Sequence, residues 1–172
     1  SFQISAVFPQ LTVLENVRVA LQRKAGWVHQ FWCSERGLAR LDGRVAQLLA
    51  EVGLDGQQGR LAGDLPYGSK RALEIATTLA TEPELMLLDE PTQGMGAEDI
   101  ARVVELVRRV ARGRPVLMVE HNMSAVADLA DTITVLQHGK VLSEGSYETV
   151  SRDPRVLEAY MGSQASLEGA HA

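Results

Sequence analysis

Two adjacent carboxylates end a short apolar run near the middle of the chain. Asp89 and Glu90 directly follow Leu85–Leu88, a run that predicts a buried strand of a parallel sheet. Open α/β sheets bind their ligands at the carboxyl ends of the strands. At such a place Asp89 could hold Mg²⁺, while Glu90 could polarise the water that attacks a phosphate. Taken alone, however, the two residues are better explained as an acidic turn that closes a strand.

A histidine stands at the corresponding point of the next predicted strand. His121 follows the apolar run 115–119, about thirty residues after Glu90. The residues between them have helical spacing, so a strand–helix–strand unit would bring both strand ends to one edge of the sheet. A histidine there can donate a hydrogen bond to a phosphate and help to fix the water. The pairing therefore favours a phosphoryl-transfer site over a structural role for His121 as a helix cap.

A glycine-containing turn precedes a helical pattern further upstream. Residues 65–71 read Leu-Pro-Tyr-Gly-Ser-Lys-Arg. Such a turn would present free N–H groups and the positive end of the helix dipole to a phosphate. An ordinary helix start capped by Asp64 is the alternative, and position alone does not choose between the two.

The pattern of apolar residues predicts the elements that position these motifs. Residues 11–81 carry apolar side chains three and four apart, which indicates helices. Residues 82–145 alternate short apolar runs with helical patterns, the sign of βαβ units, and end in a hairpin around Gly139. We therefore predict an α/β fold with a parallel sheet.

Composition limits the class of protein. The chain has 172 residues, with 17 Lys and Arg against 22 Asp and Glu, and its net charge of −5 argues against a general phosphate-binding surface. Hydrophobic residues make up 45%, as in a globular protein. The single cysteine, Cys33, excludes an internal disulfide framework and suits a reducing compartment. No apolar stretch is long enough to span a bilayer.

In their order along the chain, the motifs resemble those of the nucleotide-binding subunit of an ATP-binding cassette (ABC) transporter, from residue 1 to about residue 162. Gln3 resembles the Q-loop glutamine, Leu85–Asp89 the Walker B strand and His121 the switch histidine. The signature motif would be Leu65, Pro66, Tyr67, Gly68 and Ser69. The D-loop would be Gln93, Gly94, Met95 and Gly96.

The resemblance implies a role for each of these residues. Glu90 would be the catalytic glutamate, assisted by His121 and Gln3, and Mg²⁺ would be held by Asp89 and Gln3. Two subunits would enclose two ATP molecules head to tail. The signature motif, and the D-loop residues Gly94 to Gly96, would then contact nucleotide across the dimer.

The implied fold is a P-loop NTPase-like parallel sheet core, incomplete here, with an inserted helical subdomain and a C-terminal hairpin plus helix. Residues 1–10 would form the Q-loop segment. Residues 11–81 would form the helical subdomain, ending in the signature motif and its helix. Residues 82–145 would be the α/β catalytic core, residues 146–162 a helical tail, and residues 163–172 disordered.

Three details look most like the ATPases of branched-chain amino acid importers, with urea and short-amide importers close behind. They are Tyr67, the pair Gly94-Met95 and the tail 153–162. The implied activity is Mg²⁺-dependent ATP hydrolysis that drives uptake of a small polar solute. The implied partners are transmembrane permease subunits, a second ATPase subunit and, indirectly, a periplasmic solute-binding protein, with no nucleic acid. The subunit would lie on the cytoplasmic face of the bacterial inner membrane.

Three positions depart from the family pattern. The chain contains no GxxxxGK[ST] loop, because 63–70 has the glycine spacing but reverses the final Lys and Ser and follows a helix and a polar loop. We therefore expect a cassette without its N-terminal Walker A part, inactive on its own. Pro66 replaces the usual signature serine, and Gly96 stands where an acidic or amide residue is common.

Two other readings stay open at this point. The chain could be a catalytically inactive module that only binds or dimerises, or a soluble ABC ATPase outside transport. DNA-repair and translation ATPases of that kind usually carry a long coiled coil or a second cassette, and neither is present. The aromatic stretch Trp27–Trp32 could contact a permease or pack inward in its own helices.

Overall fold

The computed structural model describes residues 7–24 and 39–159, which divide between His121 and Asn122 into two units. The predictions for Gln3, for the aromatic stretch Trp27–Trp32 and for the end of the tail lie outside these residues. None of the helices in the described ranges has the length and apolar character that a membrane crossing requires.

Helix α1 (Val13–Lys24) begins at a reciprocal cap. The Thr12 hydroxyl accepts a hydrogen bond from the N–H of Glu15 at 3.2 Å, and the Glu15 carboxylate accepts from the N–H of Thr12 at 2.7 Å. The bond from the Thr12 N–H, together with one that the Thr12 hydroxyl donates to the same carboxylate at 2.8 Å, lowers the pKa of Glu15 below its usual value. Two otherwise unpaired N–H groups are satisfied in this way, which fixes where the helix starts.

Buried Asn16 ties the preceding segment to α1. Its side-chain oxygen accepts from the N–H of Phe8 at 2.7 Å, and its Nδ2 donates to the carbonyls of Phe8 at 3.0 Å and Thr12 at 2.9 Å. Asn16 is only 2% exposed, and these main-chain groups supply the hydrogen bonds that its buried amide needs.

Two further helices complete the helical part of the first unit. They are α2 (Asp42–Glu51) and α3 (Tyr67–Ala80). Arg18 of α1 donates two hydrogen bonds of 2.7 Å to the carboxylate of Asp42, at the start of α2. The shared core is aliphatic and consists of Val13, Val17, Leu21, Val45, Leu48, Leu49, Leu73, Ile75 and Leu79.

The parallel sheet is built from β1 (Met86–Asp89) and β2 (Val116–Val119), joined by α4 (Ala97–Val110). Met86 pairs with Val116 and Asp89 with Val119, so the two strands end level with each other. Each strand starts one residue later than its predicted apolar run. The helix predicted between the two strands is confirmed, and Val103, Val104, Val107 and Val110 are buried on one face of it.

The apolar run predicts a buried strand, and β1 is buried on one face only. Met86 and Leu88 are buried, but Leu87 is 67% exposed, and its neighbours on β2, Leu117 and Val119, are 61% and 60% exposed. A continuous apolar run is typical of parallel strands covered on both sides. In the described part of the chain only one side of this sheet is covered, which leaves an apolar face open.

The second unit is an antiparallel hairpin with short helices. Helix α5 (Met123–Leu129) is followed by β3 (Ile133–Gln137), β4 (Lys140–Gly145) and α6 (Tyr147–Ser151). The predicted hairpin is confirmed. Its two-residue turn has positive φ at both His138 and Gly139 (49° and 75°), the conformation that matches the twist of the strands.

Asp153 joins β4 to the last described helical segment, residues 154–159. Its carboxylate accepts from the N–H of Arg155 at 2.9 Å and from the Arg155 guanidinium at 2.7 Å. A hydrogen bond with the Ser143 side chain adds to this, and together these bonds hold the pKa of Asp153 well below its usual value.

Candidate active site

Glu90 and His121 lie together at the carboxyl edge of the parallel sheet. The Nδ1 atom of His121 is 3.4 Å from Oε1 of Glu90. The matched register of β1 and β2 produces this proximity, because each residue follows the last pair of the ladder closely. The Glu90 side chain is 30% exposed and that of His121 66%, so both face solvent where a ligand could approach.

The main chain at Glu90 adopts an uncommon conformation. Its φ is +43°, in the left-handed region that side-chain-bearing residues rarely enter. The peptide that joins Asp89 to Glu90 is hydrogen-bonded on both sides. Its N–H donates to the carbonyl of Val119 at 2.8 Å, and its C=O accepts from Nη2 of Arg71 at 3.0 Å. Conformations of this kind persist where the surroundings over-determine them, and they cluster at functional sites.

Asp89 lies exposed at the end of β1, on the same open face as Leu87. In the described ranges no group of three or more His, Cys, Asp or Glu side chains could hold a metal ion. Mg²⁺ does not need such a group, because it keeps several waters and is often bound through one or two carboxylates plus substrate phosphates. Asp89 therefore fits a Mg²⁺ ligand, whereas Gln3 lies outside the described residues.

The turn before α3 is positioned as a helix start without a side-chain cap. Asp64 does not cap α3, contrary to that alternative, because it belongs to the short 3₁₀ turn Ala62–Asp64 and Pro66 occupies the N-cap position. Pro66 has no side chain that could accept a hydrogen bond. The N–H groups of the first turn, which contains Tyr67, Gly68 and Ser69, are therefore not bonded to a capping side chain.

Within the signature segment the residues differ in environment. Leu65 is buried at 4% exposure and anchors the turn, whereas Tyr67 is 60% exposed. A Cβ atom on Gly68 would meet Oδ1 of Asp99 at 3.3 Å, so a larger residue there would crowd α4. Glycine thus allows the start of α3 to approach α4 closely.

The predicted D-loop connects Glu90 to α4. The N–H of Gln93 donates to the carbonyl of Glu90 at 3.2 Å, and that of Met95 to Thr92 at 3.3 Å. Gly94 has φ of +73° and Gly96 is the N-cap residue of α4. The first residue of this loop is therefore hydrogen-bonded to the main chain of Glu90.

Two site residues were missed by sequence reasoning. Arg71 contacts the main chain before Glu90, and Glu120 accepts hydrogen bonds from both Thr92 and His121. Arg71 lies two residues after the signature segment, and Glu120 directly precedes His121. Their position next to predicted site residues was the signal that could have found them.

Comparison with protein families identifies the chain. A family model described as ABC transporter matches residues 1–93 of 172, more than half of the chain. A second model, described as branched-chain amino acid ATP-binding cassette transporter, matches residues 140–166.

Similar proteins support the same assignment. The high-affinity branched-chain amino acid transport ATP-binding protein LivG of Salmonella typhimurium is 32% identical over 169 residues, covering 94% of this chain and 66% of LivG. BraF of Pseudomonas aeruginosa, whose name has the same wording, is 33% identical over 172 residues, again 94% of this chain and 66% of BraF. The chain thus spans slightly less than two thirds of these relatives.

The fold is that of a solved ATP-binding cassette. A crystal structure of such a cassette from an ABC transporter, in its ADP conformation, matches with a TM-score of 0.72 over 90% of this chain and 64% of that chain, at 23% identity. The predicted P-loop NTPase fold class is confirmed. Together with the match over residues 1–93, the order of the motifs leads to one conclusion: this chain belongs to the ABC transporter family.

Proposed function

We propose that this chain forms part of the ATP-hydrolysing subunit of an ABC importer that takes up a small polar solute. The observation that carries the proposal is the 3.4 Å approach of His121 Nδ1 to Glu90 Oε1 at the carboxyl edge of the sheet. A carboxylate and an imidazole that share one accessible edge are the groups needed to orient a water and to hydrogen-bond a phosphate.

Glu90 is the residue that positions the attacking water. Two observations support this role: the main chain of Glu90 is left-handed, and the preceding peptide is hydrogen-bonded through both its N–H and its C=O. Together they fix the direction in which the Glu90 side chain leaves the backbone. His121 donates a hydrogen bond to the terminal phosphate, and its exposed side chain leaves room for that contact. Gln3 takes part from the segment before α1, as the motif order implies.

Asp89 holds Mg²⁺ together with Gln3. When bound, the ion neutralises the charge that builds up on the phosphate oxygens. Support comes from the exposed carboxylate of Asp89, one residue before Glu90 and at the same strand end.

The start of α3 contacts the ATP held by a second ATPase subunit. The uncapped first turn, which contains Tyr67, Gly68 and Ser69, offers N–H groups and the positive end of the helix dipole to the nucleotide. Leu65 and Pro66 place that turn, and Gly94, Met95 and Gly96 of the D-loop reach across the same dimer. In this arrangement the backbone of the signature segment does what the missing serine hydroxyl would do.

The solute is a branched-chain amino acid. The names of LivG and BraF, and the second family model over residues 140–166, support this class. The partners are then transmembrane permease subunits on the cytoplasmic side of a bacterial inner membrane, fed by a periplasmic binding protein.

These 172 residues neither bind ATP tightly nor hydrolyse it by themselves, because they contain no GxxxxGK[ST] loop to cradle the phosphates. Titration of the purified 172-residue polypeptide with Mg-ATP tests this statement. Binding at micromolar concentration would contradict it.

Glu90→Gln in the full-length protein tests the assignment of the site. We expect turnover to fall by about 10²–10⁴-fold while ATP binding persists, so that an ATP-bound dimer accumulates. Glu105→Gln is the matched control, since Glu105 is an exposed residue of α4 paired with Arg108. Near-normal hydrolysis by Glu90→Gln would remove Glu90 from this role, and a binding or dimerising module would then be the better description.

A further inference from the structure

Arg71 spans the space between α3 and the end of β1. Its Nη1 donates to the carboxylate of Glu74 at 2.6 Å, and its Nη2 donates to the carbonyl of Asp89 at 3.0 Å. The Glu74 contact is between neighbours on one helix, three residues apart, whereas the Asp89 contact joins two elements eighteen residues apart in sequence. The guanidinium is thus held by its own helix while it reaches the strand.

The carbonyl that Arg71 contacts belongs to the peptide that leads into Glu90. The other side of that peptide, the N–H of Glu90, is bonded to Val119 at 2.8 Å. With both sides occupied, the peptide plane cannot rotate without breaking a hydrogen bond. Because this plane precedes a residue at φ of +43°, it determines where the Glu90 side chain leaves the backbone.

The third nitrogen of Arg71 makes no such contact. Its Nε is buried and has no hydrogen-bond partner among the described residues. A buried donor without an acceptor is destabilising, and each one in a native structure requires an explanation. A fixed orientation of the other two nitrogens explains it, because the planar guanidinium places all three together.

We propose that Arg71 is a positioning residue for Glu90: it fixes the Asp89–Glu90 peptide from α3, the helix whose first turn carries the signature segment. The proposal rests on the proposed role of Glu90 in hydrolysis. Arg71 touches no reacting group, so it acts on the rate only through the placement of the Glu90 carboxylate. A shift of about 1 Å in such a group lowers turnover on the order of 10²-fold.

Kinetics of full-length variants tests this proposal. Arg71→Lys keeps the charge but cannot reach Glu74 and Asp89 in the same forked geometry, and Arg71→Ala removes both contacts. We expect kcat for ATP hydrolysis to fall at least 10-fold in both variants, in line with the effect of removing outer-shell partners. The KM for ATP should stay unchanged. Arg44→Ala, at a half-exposed arginine of α2, is the matched control.

A double variant separates positioning from a general structural effect. In the Glu90→Gln background, Arg71→Ala should cause no further loss of residual turnover, because there is no carboxylate left to position. An additional loss in that background, or a fall in activity explained by a higher KM alone, would overturn the proposal. Turnover equal to that of the Arg44→Ala control would overturn it as well.

The outcomes also distinguish this proposal from the proposed function. If Glu90→Gln hydrolyses ATP normally, the role of Glu90 fails whatever Arg71 does. If Glu90→Gln is inactive and both Arg71 variants are fully active, the positioning role alone fails. If neither Arg71 variant yields folded protein, Arg71 serves stability rather than positioning, which again overturns the proposal.

Discussion

The carboxylate of Glu120 is hydrogen-bonded twice to Thr92: Oε1 accepts from the Thr92 N–H at 2.8 Å and from its hydroxyl at 2.5 Å. The second oxygen, Oε2, accepts from the N–H of His121 at 3.0 Å. Glu120 follows β2 and Thr92 follows β1, so one side chain joins the turns that carry His121 and Glu90.

Glu120→Gln should weaken both the fold and the site. An amide offers one acceptor oxygen, and its NH₂ group would face an N–H donor, so the bonds to Thr92 and to His121 cannot both survive. We expect the free energy of unfolding to fall by about 1–3 kcal/mol and turnover to fall with it. Chemical denaturation and the ATPase assay, with Glu105→Gln as control, measure the two effects. Unchanged stability would show that the turns are held together without Glu120.

His121→Ala should affect activity but not stability. The side chain is 66% exposed, so its removal leaves no cavity, whereas the hydrogen bond to phosphate is lost. We expect a decrease in hydrolysis of at least 10²-fold, as for other groups of this type, with the melting temperature hardly changed. A large drop in melting temperature would assign His121 a structural role.

The second unit should lose stability in acid through Asp153. Hydrogen bonds from Arg155 and Ser143 lower the pKa of Asp153 in the folded state, so the stabilisation is complete above the ordinary value of about 4. As the pH falls below that value the unfolded state takes up the proton first, and the stabilisation is lost progressively.

Asp153→Asn should therefore lower stability at neutral pH and flatten its acid dependence. Hydrogen exchange of β4 between pH 3 and pH 7 measures this, with Asp55→Asn at an exposed site of the first unit as control. A variant whose acid dependence matches that of the wild type would contradict the assignment.

The 172-residue polypeptide should self-associate through the open face of β1 and β2. Leu87, Leu117 and Val119 form an apolar surface beside strand edges, and such surfaces pair with other chains. Light scattering should give a mass above that of the monomer. The double change Leu87→Lys with Leu117→Lys should restore the monomer, whereas Val19→Lys on α1 should not. If the polypeptide without substitutions is monomeric, the apolar face is stable when exposed to solvent and the prediction is wrong.

The elements of this fold and the meeting of Glu90 with His121 could be predicted because both depend on local patterns. Apolar spacing defines the face of α4, and parallel strands that end in register bring their following residues together whatever their sequence. An open apolar face on β1 and β2 is expected from the absence of the Walker A part, because the strand that leads into that loop lies inside the sheet of P-loop folds. Which residues of β1 point to that face could not be predicted, since exposed Leu87 has the same apolar character as buried Leu88.

The contacts of Arg71 and Glu120 could not be predicted either. Each joins a side chain to residues 18 or 28 positions away, and neither leaves a periodic signal. The left-handed backbone of Glu90 could not be predicted from its residue type, because glutamate does not favour positive φ.

Asn16 couples the motion of the segment before α1 to that of the helix. Its four hydrogen bonds to the main chain of Phe8, Leu11 and Thr12 attach the segment before α1 rigidly to that helix. Arg18 passes the connection on to Asp42 at the head of α2. A displacement of the main chain at Phe8 is therefore transmitted to α1 and α2 together. The two helices would move as one rigid group.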